Sequence, residues 1–183
     1  MSYVPPSLTT YATTLANATA SGDTTICTFV VPGGTWADGE MVTVRIFALS
    51  KNNKGTSGNA TLKVNATGGS AATIGAAVSW ADSATEAVRG MSLEMVRAGS
   101  KIAVWPGGTG GYDNAASAVA YPIDPSNFMT SPGTARFTWH EVTPTNFTSD
   151  VTVSLIMNLD ATHATFYCKP QTATAMKSAV RVK

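Results

Sequence analysis

Residues 24–66 read TTICTFVVPGGTWADGEMVTVRIFALSKNNKGTSGNATLKVNA, and this stretch decides the fold. Within it, Met41–Leu49 sets Val42, Val44, Ile46 and Ala48 on one side against Thr43 and Arg45 on the other. Ala60–Ala66 repeats the pattern, with Leu62, Val64 and Ala66 opposed to Thr61, Lys63 and Asn65. Successive side chains of a strand point to opposite faces, so alternation at period two marks a half-buried antiparallel strand. Between the two runs, Ser50 to Asn59 is turn chemistry throughout. A third run, Thr25–Val31, stops at Pro32-Gly33-Gly34.

Outward from this core the same signals recur. Strands are expected at Ala72–Trp80, Val88–Val96, Lys101–Trp105, Ala135–Val142, Val151–Leu159 and Thr162–Lys169, with a further one near Ala116–Tyr121. Arg97–Ser100 reads as the tight turn of a hairpin, and Pro106-Gly107-Gly108 reads as a second strand terminator. Gly107–Pro132 is the longest irregular region, and long loops in compact domains tend to carry function. Roughly eight to ten short strands and no long helix predict an antiparallel β-sandwich, and a jelly roll is the economical arrangement. In a jelly roll the first and last core strands are neighbours, which would bring the strands of Cys27 and Cys168 together. The sandwich is expected over residues 21–183, preceded by an N-terminal arm, residues 1–20. Pro5-Pro6 forces an extended start to that arm. Ser7 would cap a short helix with Leu8, Tyr11, Ala12 and Leu15 at helical spacing, while the many threonines oppose it, so the arm's conformation stays open.

Composition narrows the function classes. A chain of 183 residues suits one domain with a core of its own. Charged residues make up 13%, about half the usual roughly 25%, so Thr, Ser, Asn and Gly must supply the polar surface. Such a surface suits a protein packed into an assembly or bound to sugars. A net charge of +1 with scattered Lys and Arg gives no electrostatic reason to expect nucleic acid. No apolar run approaches the ~20 residues that span a bilayer, and the first residues lack the basic and apolar parts of a signal peptide. Synthesis in a cytoplasm, without export by that route, is the expectation. Cys27 and Cys168 lie far apart with no metal-ligand spacing, so both read as buried hydrophobes.

Chemistry is sparse. His140 and His163 are the two histidines, and no Gly-x-Ser-x-Gly elbow accompanies them. His140 should point outward or toward a neighbouring chain, opposite Phe137, Trp139 and Glu141. Asp38, Asp82, Glu86, Asp113, Asp124 and Asp150 fall in or beside turns, where capping explains them better than paired catalysis. Gly107–Gly111 lacks the Lys-Ser/Thr of a phosphate loop. The expectation is therefore no catalytic residue, no cofactor and no metal.

The order of a strand ending in Val31-Pro32-Gly-Gly-Thr-Trp-Ala-Asp-Gly39, the Met41–Leu49 strand, the turn Lys51-Asn52-Asn53-Lys-Gly55, the Ala60–Val64 strand and Gly68-Gly69 resembles a segment of tailed-phage virion proteins. The resemblance implies a jelly-roll capsid decoration (cement) protein or the head of a tail fibre, commonly trimeric. The absence of heptads or repeats for a shaft favours the cement protein over the fibre. That reading makes the chain a non-enzymatic virion protein that self-associates as a homotrimer and binds the major capsid protein. The arm residues Tyr3, Val4, Pro5, Pro6, Leu8 and Tyr11 would then lie on neighbouring capsid subunits, by strand addition to an exposed sheet edge. The alternative is a host-recognition head binding surface glycans, with Trp36, Asn52, Asn53 and Tyr112 as loop contacts. Trp36 would equally serve to staple its turn onto the sandwich.

Overall fold

The computed structural model describes residues 8–80, 82–112 and 140–178. The described residues form eleven strands and no helix. These are β1 (Leu8–Tyr11), β2 (Thr13–Leu15), β3 (Gly22–Val31), β4 (Met41–Asn52), β5 (Gly58–Ala66), β6 (Ala72–Trp80), β7 (Ser83–Ala98), β8 (Lys101–Tyr112), β9 (His140–Val142), β10 (Val151–Leu159) and β11 (Phe166–Ser178). One sheet has six strands in the order β1-β11-β4-β7-β8-β9, the other five in the order β2-β3-β10-β5-β6, and all pairings are antiparallel. Their inner faces meet in a single apolar core that includes Ile26, Phe29, Trp36, Val44, Ile46, Leu93, Leu155 and Phe166. Burying side chains of this size stabilises the fold by about 1.5–3 kcal/mol each, before ordering costs. The all-β sandwich is as the alternation predicts.

The first and last strands, β1 and β11, are neighbours as the jelly-roll pairing expects, but Cys27 lies on β3 and not on the first strand. β3 lies between β2 and β10, whereas β11 lies between β1 and β4 in the other sheet. Cys27 and Cys168 therefore sit on facing sheets, not on adjacent strands, and both are buried free thiols. Burial in apolar surroundings pushes the Cys27 thiol up to about 11 and the Cys168 thiol up to about 12.

Two strands run on through a proline beyond their expected ends, and in both the ladder slips beside it. β8 continues through Pro106-Gly107-Gly108, where its register against β7 shifts between Ser92 and Leu93. β11 begins at Phe166 and runs on past Pro170 to Ser178, with a shift between Pro170 and Thr172. Proline cannot donate to a ladder, and a bulge accommodates it without ending the strand. The strand expected near Ala116–Tyr121 and most of Ala135–Val142 lie outside the described residues; His140–Val142 is β9.

The arm is not helical where it is described. Tyr11 ends β1 on the six-stranded sheet, and after Ala12 the chain crosses to the five-stranded sheet as β2. It then returns, since Ala18 and Cys168 exchange backbone hydrogen bonds at 2.9 Å in both directions. Residues 8–18 thus lace the β3 edge of one sheet to the β11 edge of the other, and they belong to the sandwich. The expected boundary at residue 20 falls after this lacing.

Candidate interaction surface

Strand β4 shows strict alternation of burial, with Val42, Val44, Ile46, Ala48 and Ser50 inward. Its outward positions are Met41, Thr43, Arg45, Phe47, Leu49 and Lys51. Phe47 is 54% exposed, although its type is usually buried. Register places the neighbours exactly opposite on β7: Met41 beside Val96, Thr43 beside Glu94, Arg45 beside Ser92, Phe47 beside Gly90 and Leu49 beside Val88. Val88 is itself 48% exposed. On the far side, Gly90 and Ser92 pair with Gly110 and Gly108 of β8. The outer face of the six-stranded sheet therefore sets Phe47 and Leu49 of β4 beside a local trough of small residues, Gly90 and Ser92 on β7 with Gly110 and Gly108 on β8, bounded by the Val88–Tyr112 and Glu94–Trp105 pairs. A cross-strand pair such as Leu49–Val88 adds about 0.2–1 kcal/mol within one subunit, yet that leaves Phe47 and Val88 facing solvent.

The charged groups of this face divide into engaged and unengaged. Tyr167 donates to a Glu86 carboxylate oxygen at 2.5 Å, which holds the phenol pKa up at about 12, with burial and the carboxylate charge adding to the effect. The Lys169 ammonium stands 4.0 Å from the Tyr167 ring centroid. Arg45 and Glu94 make no ion pair or hydrogen bond among the described residues.

The turns at the ends of the sandwich are tied down rather than displayed. Asp38 accepts from the Gly99 N–H at 2.6 Å, Asp82 from the Gly55 N–H at 2.9 Å and Asp150 from the Gly33 N–H at 2.8 Å. These carboxylates cap turns, as their spacing suggests. Gly33 is required by close approach: a Cβ there would lie 2.3 Å from the Thr148 carbonyl oxygen. Lys177 joins the same end, bonding the Thr35 carbonyl and a Glu40 carboxylate oxygen, the latter at 2.9 Å. Burial works to raise the Glu40 pKa, but the bonds from Lys177 and the Ala37 N–H outweigh it and leave the carboxyl below its usual value.

Against this geometry the sequence-derived candidates separate clearly. Tyr3, Val4, Pro5 and Pro6 lie outside the described residues. Leu8 opens β1 and is 62% exposed. Tyr11 packs inward, its ring 6.1 Å from Phe29 and its buried hydroxyl without a hydrogen-bond partner among the described residues. Burial, followed by the charge of Glu40, raises that phenol's pKa. Trp36 is a core residue at 1% exposure, edge-on to Phe147 at 5.9 Å and donating from Nε1 to the Glu40 carbonyl at 2.9 Å. It staples its turn and presents no face for a sugar. Asn52 is likewise buried, its amide donating to the Trp80 and Thr56 carbonyls at 2.8 and 3.0 Å. Asn53 is exposed and bonds through its backbone to Thr165. Tyr112 ends β8 opposite Val88. The four loop candidates therefore do not assemble into one exposed cluster.

Phe47 and Val88 are the positions the sequence reading passed over. The signal was present: an aromatic residue stands on the Thr43/Arg45 side of a strand whose other side fills the core. His140 lies in β9 with its pKa lowered by burial, and His163 Nδ1 is 2.9 Å from the Thr165 hydroxyl. Among the described residues no three His, Cys, Asp or Glu side chains gather as a metal site, and no helix is long and apolar enough to cross a membrane. No protein family, no curated protein and no solved structure matches the chain.

Proposed function

We propose that the chain is a non-enzymatic structural protein of a tailed-phage virion, a decoration protein that self-associates and stabilises the phage head. The observation that carries this reading is the outer face of the six-stranded sheet, where Phe47 and Val88 stand 54% and 48% exposed on a rigid ladder. Exposed apolar surface on an ordered strand face suits association, and a chain with so few charges gains little from a solvated life. The phage assignment comes from the strand-and-turn resemblance that runs from the strand ending at Val31 to Gly68-Gly69. In this reading the protein is made in the bacterial cytoplasm and works on the virion, with the major capsid protein and its own copies as partners. The resemblance brings an expectation of trimers; the exposed sheet face is better suited to pairs. The glycan-binding alternative is weakened, because Trp36 and Asn52 are committed to the core.

Co-sedimentation with undecorated heads of the cognate major capsid protein tests the proposal. Because residues 8–18 are laced into both sheets, the arm's role is tested by deleting residues 1–7 alone. Saturable binding by the full chain, lost on that deletion, is the expected result. Heads that pellet without the full chain overturn the decoration role, and undiminished binding by the shortened chain overturns the arm's part in it.

A further inference from the structure

We infer that the outer face of the six-stranded sheet is a two-fold interface in which β4 of one copy packs over β7 of a second copy of this chain. This rests on the self-association in the proposed function but not on the virion. The face is self-complementary by register. Let a second copy face the first, turned by half a rotation about an axis parallel to the strands and midway between β4 and β7. Each β4 position then overlies its own β7 neighbour on the partner. Phe47 enters the trough at the partner's Gly90, Leu49 meets the partner's Val88, and Met41 meets the partner's Val96. Gly110 and Gly108, paired with Gly90 and Ser92, continue the run of small residues onto β8. Two sheets packed this way keep their strands nearly aligned at the usual spacing of about 10 Å.

Charge completes the match. Arg45 overlies the partner's Ser92, one outward position from the partner's Glu94, and the symmetry makes this contact twice. Both side chains are without a partner among the described residues of the single chain. A second copy answers both with one operation. The area is sufficient: β4 from Met41 to Lys51, with its neighbours β11 and β7, covers about 480 Å² at the standard rise and strand spacing. Two such faces bury about 1,000 Å², near the lower limit for a specific protein interface, so a micromolar dimer is expected.

Sedimentation velocity on the full chain over a concentration series, without phage heads, reads the interface directly. R45E turns both attractive contacts repulsive, and so does E94R. Each alone should weaken the dimer about tenfold or more, the equivalent of 1.4 kcal/mol. An equimolar mixture of the two variants restores both attractions, so heterodimers should form within about threefold of the original affinity. F47K, which places a charge in the trough, should leave a monomer, and circular dichroism confirms the fold of each variant. A monomer at all concentrations up to about 1 mM overturns the inference. So does a trimer, or a dimer indifferent to F47K, or a mixture of R45E and E94R that stays monomeric. A monomer in which F47K abolishes head binding also overturns it, by assigning the face to the capsid. Head binding by the unmodified chain is scored separately, so the virion reading stands or falls on its own assay.

Discussion

Replacing Trp36 by alanine should remove a large part of the stability of the domain. The indole is 1% exposed, stacks edge-on against Phe147 and anchors the turn between β3 and β4 through its bond to the Glu40 carbonyl. Truncating a buried Trp costs about 3–5 kcal/mol, from lost transfer energy and the cavity left behind. Phenylalanine keeps most of the ring contact and loses the indole N–H. The Glu40 carbonyl still accepts from the Arg97 N–H at 3.1 Å, so Trp36→Phe should cost only about 1–2 kcal/mol. For a domain of this size each kcal/mol moves the melting temperature by about 2–4 °C. The alanine variant should therefore melt about 6–20 °C lower and the phenylalanine variant about 2–8 °C lower. Urea unfolding at one fixed protein concentration checks the same order through the midpoint at constant slope. An alanine variant within about 0.5 kcal/mol of the parent would behave as a surface substitution and would refute the stapling role.

Tyr11→Phe should be neutral or stabilising by up to about 1 kcal/mol in urea unfolding, because it deletes a buried hydroxyl that has no partner among the described residues. A loss above about 1 kcal/mol would show that the hydroxyl is satisfied after all. Both thiols should resist a colorimetric thiol reagent at pH 8 until denaturant is added, since burial holds them at about 11 and about 12. One equivalent reacting within the mixing time of the native protein contradicts that burial. Glu40, depressed below its ordinary 4.5, contributes stability that is complete above that value and drains away as pH falls through the lower folded pKa. Glu40→Gln should therefore flatten the acid limb of the stability–pH curve, and an unchanged limb would remove Glu40 from the cause.

The sandwich was legible because half-buried strands advertise themselves by alternation. Ala72–Trp80 and Val151–Leu159 appear at the very bounds their patterns suggest, and Met41–Leu49 extends only to Asn52. What misled was local grammar overridden by pairing. Leu8, Tyr11 and Leu15 mimic helical spacing because the chain changes sheets at Ala12 and resets its alternation. Pro106 reads as a stop and the last expected strand ends at Lys169, yet bulges in the facing ladders let both strands continue through Pro106 and Pro170. In β3 the register shift opposite Leu155 and Ile156 turns both Ile26 and Cys27 inward, which strict alternation forbids. Strand order across two sheets depends on distant pairings, so neither the separation of the cysteines nor the lacing by residues 8–18 was readable. Turn-rich context made Trp36 and Asn52 look exposed, whereas the loops fold back over both. Phe47 was readable as an anomaly on a polar face, but its meaning needed Gly90 beside it.

The claim that this chain stabilises a phage head is tested most directly by the temperature at which heads release their DNA, measured by dye fluorescence with and without the purified protein. The account predicts a higher release temperature that saturates as the protein fills its sites on the head. An identical release temperature at every protein concentration would contradict it.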